Sequence, residues 1–334
     1  MDDDKAGKAQ AAEKPTSRRA DWRRWLTSPA VATLGFLLPA VVGYAIAQVD
    51  KGADLKFTTS DEFLAWTGSI VWGVTVWVAM SLGLLPTLQE LSKLFDKEEP
   101  AIPIRGLFGL YAFYATLLLV ILTRVEPTQK IVSILPLDHF TLRIRIFLAI
   151  GLAAAAPVVV IVWLVAERLR LLKALLEPPA SPVDSGRHVK ELQVLWRCSA
   201  RSLLVASITV SVSVIQTAAL RNALLAYDRN TWEQRFPAST LVFYGAFFTA
   251  AFAAVYVPAL LAWRSRAQQL VDLLYQTPDN GKPDESWMKG RTLLEQLLGI
   301  NTGAMASFSG LVAIFSPLAT SLLTAFVPQL GNPQ

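Results

Sequence analysis

The chain of 334 residues contains few of the side chains from which catalytic and metal sites are built. It has one cysteine and two histidines, and 17% of its residues are charged, whereas soluble domains contain about 25%. One cysteine excludes an internal disulfide, and with two histidines it cannot complete a four-ligand zinc site. No catalytic, cofactor-binding or metal-binding motif is found. We therefore expect a protein that is not an enzyme and needs no cofactor.

Apolar residues are abundant instead, at 53% of the chain. Six uncharged stretches approach or exceed the roughly 20 residues that a helix needs to cross about 30 Å of hydrocarbon. A charged side chain inside a span costs about 2.5–3.5 kcal/mol on insertion scales. The pattern predicts an all-α integral membrane protein with six transmembrane helices, over residues 29–49, 63–85, 106–123, 146–165, 203–220 and 241–263.

The basic residues give these spans an orientation. Of the 31 lysines and arginines, 22 fall in the segments that are cytoplasmic if the amino terminus is inside. This excess follows the positive-inside rule. The composition suits a bacterial inner membrane. Nucleic acid is not expected as a partner, because the basic residues lie at the ends of apolar runs and not in one cluster.

The sequence predicts three segments along the chain. Residues 1–28 lack an apolar period and are predicted to be a disordered cytoplasmic tail. Residues 29–302 form three hairpins, and the second, fourth and sixth spans continue into cytoplasmic stalk helices. These stalks cover residues 86–100, 166–201 and 264–302, and the last contains a helix that opens at Pro283-Asp284-Glu285-Ser286 and ends at Gly299.

Leucines recur at helical spacing on the stalks, which predicts that the stalks pack on one another. The alternative is that the helices overshoot the bilayer and proline ends each of them independently. Three leucines beside basic residues form a candidate cytoplasmic interaction face for a partner or a second copy. They are Leu172, Leu175 and Leu176.

Two parts of the topology have alternatives. Cleavage after Ala47, at a small-x-small pattern, would remove the first span, although the long basic leader favours an uncleaved anchor. Residues 303–334 carry no charge and combine an apolar stripe with many hydroxyls around Pro317. We expect two half-helices that are broken at Pro317 and re-entrant or packed in the bundle, or an amphipathic surface helix. A seventh span over residues 303–327 is the alternative.

The fifth span is unusually polar. Thr209, Ser213 and Gln216 share one face, at a spacing of four and then three residues. Hydroxyls and amides can replace water around a solute in a pore. They can equally bond to their own helix or bridge two helices. These three residues are therefore candidates either for a pore lining or for contacts between helices.

Two functional hypotheses follow. The first is a non-enzymatic subunit or scaffold of the inner membrane, whose cytoplasmic helices bind partners or self-associate. The second is an oligomeric pore or uncoupled channel lined by the fifth span. Expected partners are membrane lipid and either copies of the chain or other membrane or cytoplasmic subunits. A coupled carrier is disfavoured because no span contains a carboxylate.

Overall fold

The computed structural model describes residues 37–45, 55–95, 109, 112, 115–116, 140–176, 185–276, 283–300 and 304–330. Within these ranges the secondary structure is helical, with no strand, as the predicted all-α fold requires. Residues 37–45 are helical. The labelled helices are α1 (Leu55–Thr58), α2 (Asp61–Gly83), α3 (Leu85–Ser92), α4 (Phe140–Leu176), α5 (Ser185–Tyr227), α6 (Arg229–Arg235), α7 (Ala238–Leu274), α8 (Glu285–Leu298) and α9 (Ala304–Leu330).

Among the described residues, four helical stretches are long and apolar enough to cross a membrane, which confirms the prediction of a membrane protein with transmembrane helices. They cover Asp61–Ser92 (α2 with α3), Arg145–Lys173, Gly186–Tyr227 and Arg229–Leu274 (α6 with α7). These ranges contain the second, fourth, fifth and sixth predicted spans. Some predicted features lie wholly or mostly outside the described residues. They are the tail 1–28, the first and third predicted spans, and the alternative cleavage site at Ala47.

Local sequence signals explain where several helices begin and end. Ser60 caps α2 by accepting a hydrogen bond from the Phe63 amide at 3.2 Å. Asp284 caps α8 in the same way, accepting from the Trp287 amide at 2.7 Å. Gly299 ends α8 with a φ of 74°, a left-handed conformation that glycine adopts without a steric penalty. The helix predicted to open at Pro283-Asp284-Glu285-Ser286 and end at Gly299 is therefore observed.

A short helix that the sequence analysis did not predict, α6, connects α5 to α7. Asp228 is its N-cap and accepts a hydrogen bond from the Thr231 amide at 3.2 Å. The hydrogen bonds from the Thr231 side chain and backbone hold the pKa of the Asp228 carboxyl below its ordinary value. The helix buries Trp232, so the turn between the two long helices is packed against the bundle.

Helix α5 lies at the centre of the bundle and contacts α2, α4, α7 and α9. Its neighbours α2 and α7 run antiparallel to it. Along α2 and α3, Trp77 donates to the Thr209 carbonyl at 3.1 Å and Thr87 lies opposite Cys198. Along α7, Tyr256 lies opposite Ser202, and Trp263 donates to the Leu192 carbonyl at 2.9 Å.

The bundle has a buried core at each end. We call the end containing residues 84–95, 164–176, 185–203 and 263–276 the stalk end, and the other the α6 end. The core of the α6 end includes Phe57, Phe63, Trp66 and Trp232. The core of the stalk end joins residues of α3, α4, α5, α7 and α8 in one cluster. The described parts of the stalks are therefore packed on one another, which agrees with the prediction and not with the alternative of independent overshooting helices.

The outer surface of the long helices is apolar, as a helix in lipid requires. Phe243 on α7 is 77% exposed. Further large apolar side chains are exposed along α2, α7 and α9, and they include Leu64, Trp72, Phe247, Leu261, Leu311, Phe315 and Leu323. In water each of these would forfeit about 1.5–3 kcal/mol relative to burial, so the exposure fits a hydrocarbon environment.

Helix α9 corrects one expectation. It is continuous from Ala304 to Leu330 with Pro317 in its interior, so the predicted break into two half-helices is wrong. The helix packs lengthwise against α5 and α7. Helices α4 and α7 also continue past an interior proline, at Pro157 and Pro258, and such prolines are tolerated in transmembrane helices.

Candidate functional site: the polar face of the central helix

Gln216 of α5 bridges to α2. Its side-chain amide donates to the Ser69 carbonyl at 3.3 Å. Gly73 of α2 lies directly beneath it, and a Cβ atom at this position would overlap the Gln216 amide. The two helices therefore approach closely because one contributes a long polar side chain and the other contributes no side chain.

Ser213 and Thr217 bond within α5 itself. The Ser213 hydroxyl donates to the Thr209 carbonyl at 3.0 Å, and the Thr217 hydroxyl donates to the Ser213 carbonyl at 2.8 Å. The Thr209 carbonyl also accepts the Trp77 indole N–H from α2. The structure thus brings Thr209, Ser213 and Gln216 to a half-buried face that contacts α2 and the backbone of α5.

A second polar contact joins α5 to α9. The Ser207 and Ser316 hydroxyls are hydrogen-bonded, and Ser211 lies 3.2 Å from the same Ser316 oxygen. Ser207 is buried. The sequence analysis did not single out Ser207 and Ser211 as a site. The carboxyl-terminal segment carries many hydroxyls, and hydroxyls inside a membrane need hydrogen-bonding partners. This signal in the sequence could have suggested that Ser207 and Ser211 contact that segment.

A third contact joins α5 to α7, where the Tyr256 hydroxyl donates to the Ser202 oxygen at 3.2 Å. Both residues are buried. Together these contacts link α5 to α2, α7 and α9, all within one copy of the chain. We call this set of residues the polar seam: Ser202, Ser207, Thr209, Ser211, Ser213 and Gln216.

The stalk end contains buried charges that the sequence analysis missed. Arg168 of α4 forms an ion pair with Glu191 of α5, and each side chain is 3% exposed. His188 Nδ1 lies 3.7 Å from the other Glu191 oxygen. The Arg168 guanidinium also lies 5.6 Å from the centre of the Phe95 ring. The sequence places Arg168 and Glu191 on separate polar helices 23 residues apart, so only the packing of α4 on α5 brings them together.

The three leucines of the candidate interaction face lie near this ion pair. Leu172 and Leu176 are buried in the stalk-end core, whereas the side chain of Leu175 lies outside the described residues. Leu91, Leu192, Leu195, Trp263 and Leu270 belong to the same core. The chain itself therefore covers Leu172 and Leu176.

The described residues show no group of three histidine, cysteine, aspartate or glutamate side chains that could hold a metal ion. Cys198 is buried within the bundle. At the α6 end, the buried Arg221 donates from Nε to the Phe236 carbonyl at 2.8 Å. The polar groups described above make contacts between helices or within one helix.

Comparison with known proteins identifies no relative: the chain matches no protein family, no curated protein and no solved structure.

Proposed function

We propose that this protein is a non-enzymatic subunit or scaffold of a bacterial inner membrane, whose cytoplasmic helices bind partner proteins or a second copy. The observation that carries the proposal is the polar seam. Its serine hydroxyls and the Gln216 amide hydrogen-bond to groups of the same chain, as expected when polar residues hold a membrane bundle together. A pore lining would instead direct them towards water and solute.

The partner-binding surface that we propose lies on α8. This helix is anchored to the stalk end, since Arg291 forms an ion pair with Asp272 of α7 at 2.7 Å, and Gln193 of α5 donates to the Leu297 carbonyl at 3.1 Å. Its other side carries exposed apolar residues. Leu293 is 64% exposed and Leu297 is 58% exposed. Leucines one turn apart on a helix outside the apolar spans favour a protein partner that covers them.

For the topology we propose that the predicted spans 29–49 and 106–123 cross the membrane beside the four long helices, with the amino terminus in the cytoplasm. The excess of lysine and arginine in the cytoplasmic segments supports this orientation.

We also propose that α9 is a seventh span, antiparallel to α7. Gly245 lies against Pro317 and Ser321, while Tyr256, farther along α7, shares a buried cluster with Ile314. Over this stretch α9 packs along the apolar part of α7. This packing favours a helix that crosses the membrane and not one that lies on its surface. Seven spans put the two termini on opposite sides of the membrane.

The proposed interaction is tested on the full chain, purified from its native membrane in mild detergent. The double variant Leu293→Glu/Leu297→Glu places two carboxylates on the exposed face of α8. The matched control, Thr292→Glu/Gln296→Glu, adds the same charge at neighbouring exposed positions of the same helix. Light scattering with correction for detergent gives the protein mass, and mass spectrometry identifies chains that co-purify.

We expect the unmodified chain to run as a complex above the 36.6 kDa of one copy. The leucine variant should lose that complex, and the control should keep it. A monomeric mass for the unmodified protein with no co-purifying chain contradicts the proposal, and so does an intact complex in the leucine variant.

The pore hypothesis is tested separately by ion and solute flux through vesicles that contain the purified chain. A scaffold leaves the vesicles as tight as protein-free controls. Flux that is altered by Gln216→Leu while the assembly is retained would favour the pore instead.

A further inference from the structure

Two arginines lie one turn apart on an exposed face of α5, where the stalk end meets the apolar part of the helix. The Arg197 side chain is 52% exposed, and Arg201 is exposed as well. Residues four apart on a helix have Cβ atoms about 5–6 Å from each other. The two guanidinium groups can therefore contact one ligand together.

The protein neutralises these two charges only in part. Glu90 of α3 is the acid beside them, and its Oε1 atom lies 3.6 Å from Arg197 Nη2, which is too long for a hydrogen bond. Within the described part of the chain, the Arg201 side chain forms no ion pair and no hydrogen bond. One positive charge thus has no counter-charge there, and the donors of both guanidinium groups remain available.

The sequence places Arg201 at the edge of the hydrocarbon. Residues 202–220 are uncharged, and the next charge after Arg201 is Arg221, 20 residues later. At 1.5 Å per residue this separation is about 30 Å, the thickness of the hydrocarbon core. Arg201 therefore lies where the acyl chains meet the headgroups. Arg197, one turn farther from the apolar segment, lies at the level of the headgroups themselves.

The same face of α5 continues into the membrane as an apolar surface. Leu204 and Ile215 follow Arg201 by 3 and 14 residues, which places them on nearly the same side of the helix. Leu204 is 54% exposed and Ile215 is 37% exposed. Two cationic groups at the headgroup level and an apolar strip beyond them match the order of phosphate and acyl chain in a phospholipid.

We propose that this face binds one anionic phospholipid. Its phosphate accepts hydrogen bonds from Arg197 and Arg201, and one acyl chain lies along Leu204 and Ile215. Guanidinium groups suit a phosphate because their planar donors can bind two of its oxygens at once. A lipid with a single negative charge matches the one uncompensated positive charge, whereas the ammonium of a zwitterionic lipid is repelled by the arginines.

The proposal concerns one specific lipid site and not the general lipid contact of the outer surface. It does not depend on the proposed scaffold function, because the site lies on a single copy of the chain and away from the exposed leucines of α8. It does not depend on the orientation of the chain either, since the position of Arg201 relative to the hydrocarbon is the same in both orientations.

The test is native mass spectrometry of the full chain in mild detergent, which resolves individual bound lipids. Phosphatidylglycerol is compared with phosphatidylcholine of the same acyl chains. We expect one phosphatidylglycerol to bind about tenfold or more tightly than phosphatidylcholine. The variant Arg201→Gln should weaken the binding of phosphatidylglycerol about tenfold or more, because it removes charge-assisted hydrogen bonds. It should leave the binding of phosphatidylcholine unchanged.

Two further variants separate phosphate recognition from a general effect of charge. Arg264 is exposed on α7, and the residues one turn before and after it, Leu260 and Gln268, are uncharged. Arg264→Gln removes the same charge as Arg201→Gln from a lone arginine, and it should leave lipid binding unchanged. Arg201→Lys keeps the charge but lacks the planar donors, so its affinity should lie between those of the unmodified chain and Arg201→Gln.

Equal affinity for the two lipids in the unmodified chain overturns the proposal. An equal loss in Arg201→Gln and Arg264→Gln also overturns it, because net charge alone would then explain the binding. The soluble headgroup glycerophosphoglycerol should not displace the lipid at equal concentration, and displacement would show an anion site to which the acyl chain contributes nothing. If Arg201→Gln fails to fold, Arg197→Gln takes its place, and unchanged binding in that variant would rule out the site.

Discussion

Single glycines set the distance between helices where a polar side chain or a carbonyl lies opposite. Gly73 faces the amide of Gln216, whereas Gly245 faces the backbone of Pro317 and the side chain of Ser321. The two sites differ in how readily the opposing atoms can move. A glutamine can rotate away, but a carbonyl within a packed helix cannot.

The first prediction concerns Gly73 and Gln216. Replacing Gln216 with Leu should lower the free energy of unfolding in detergent by about 0.6–2 kcal/mol, the range for polar contacts between membrane helices. Gly73→Ala should cause a similar loss, because the new methyl group displaces the Gln216 amide from the Ser69 carbonyl. The double variant Gly73→Ala/Gln216→Ala should lose less than the single variants Gly73→Ala and Gln216→Ala combined. Strict additivity would mean that the two residues do not interact.

The second prediction concerns Gly245. A Cβ atom there would lie 2.6 Å from the Pro317 carbonyl oxygen, so Gly245→Ala should lower stability by about 1–3 kcal/mol through overpacking. Adding Ser321→Ala should not restore it, since the carbonyl remains. Thermal denaturation in detergent measures the loss, with Gly83→Ala as the control in open space. Full recovery in the double variant would assign the clash to the Ser321 hydroxyl alone.

The third prediction concerns the buried ion pair. Removing one partner leaves an uncompensated buried charge, so Arg168→Leu or Glu191→Leu alone should cost about 3–5 kcal/mol. The double variant Arg168→Leu/Glu191→Leu should be more stable than either single variant, because both charges are then absent. Denaturation of the purified variants measures this. A double variant less stable than both single ones would show that the hydrogen bonds and the packing on Phe95 outweigh the charge.

At the scale of the element, the stalk helices form one packed unit and are not separate extensions of the spans. Leu172 and Leu176 of α4 belong to one buried cluster with residues of α3, α5, α7 and α8. The unit therefore depends on leucines that come from helices distant in the sequence.

The fourth prediction tests this unit. Leu172→Glu/Leu176→Glu buries two carboxylates and should disrupt the stalk-end bundle, while membrane insertion remains because the spans are unchanged. Lys173→Glu, on the exposed side of the same helix, is the control. Insertion is measured by carbonate extraction, and the melting temperature in detergent reports on the bundle. An unchanged melting temperature in the double variant would mean that these leucines contribute little to the fold.

At the scale of the whole molecule, the long helices pass between the same two ends, and α9 follows α7 between them. The fifth prediction is the topology that this implies. Reporters fused after Glu177 should be cytoplasmic, and reporters inserted at Gly52 or fused after Gln334 should be external. Activity of alkaline phosphatase and fluorescence of a reporter protein distinguish the sides. An external reporter at Glu177 together with a cytoplasmic one at Gly52 would reverse the proposed orientation, and a cytoplasmic carboxyl terminus would exclude a seventh span.

Several features of the fold could be predicted from the sequence because they depend on local properties. An uncharged apolar run makes a helix in lipid, as the predicted spans within α2, α4, α5 and α7 illustrate, and Asp284 and Gly299 delimit α8 by their own backbone preferences. The polarity of the fifth span was also visible in the sequence, and Thr209, Ser213 and Gln216 were singled out from it. The contacts of this face with α2 were not visible, because Ser69 and Trp77 are more than 130 residues away.

The sequence by itself determined that the chain is a helical membrane protein, because hydrophobicity is a property of each segment alone. Only the tertiary structure decided which polar groups pair, which leucines the chain buries and how α9 runs past Pro317. A proline in the interior removes one hydrogen bond of a helix, yet α9 continues past Pro317 while it packs on α5 and α7. Contacts between segments distant in the sequence decide such outcomes, and their energies appear only when the helices are side by side.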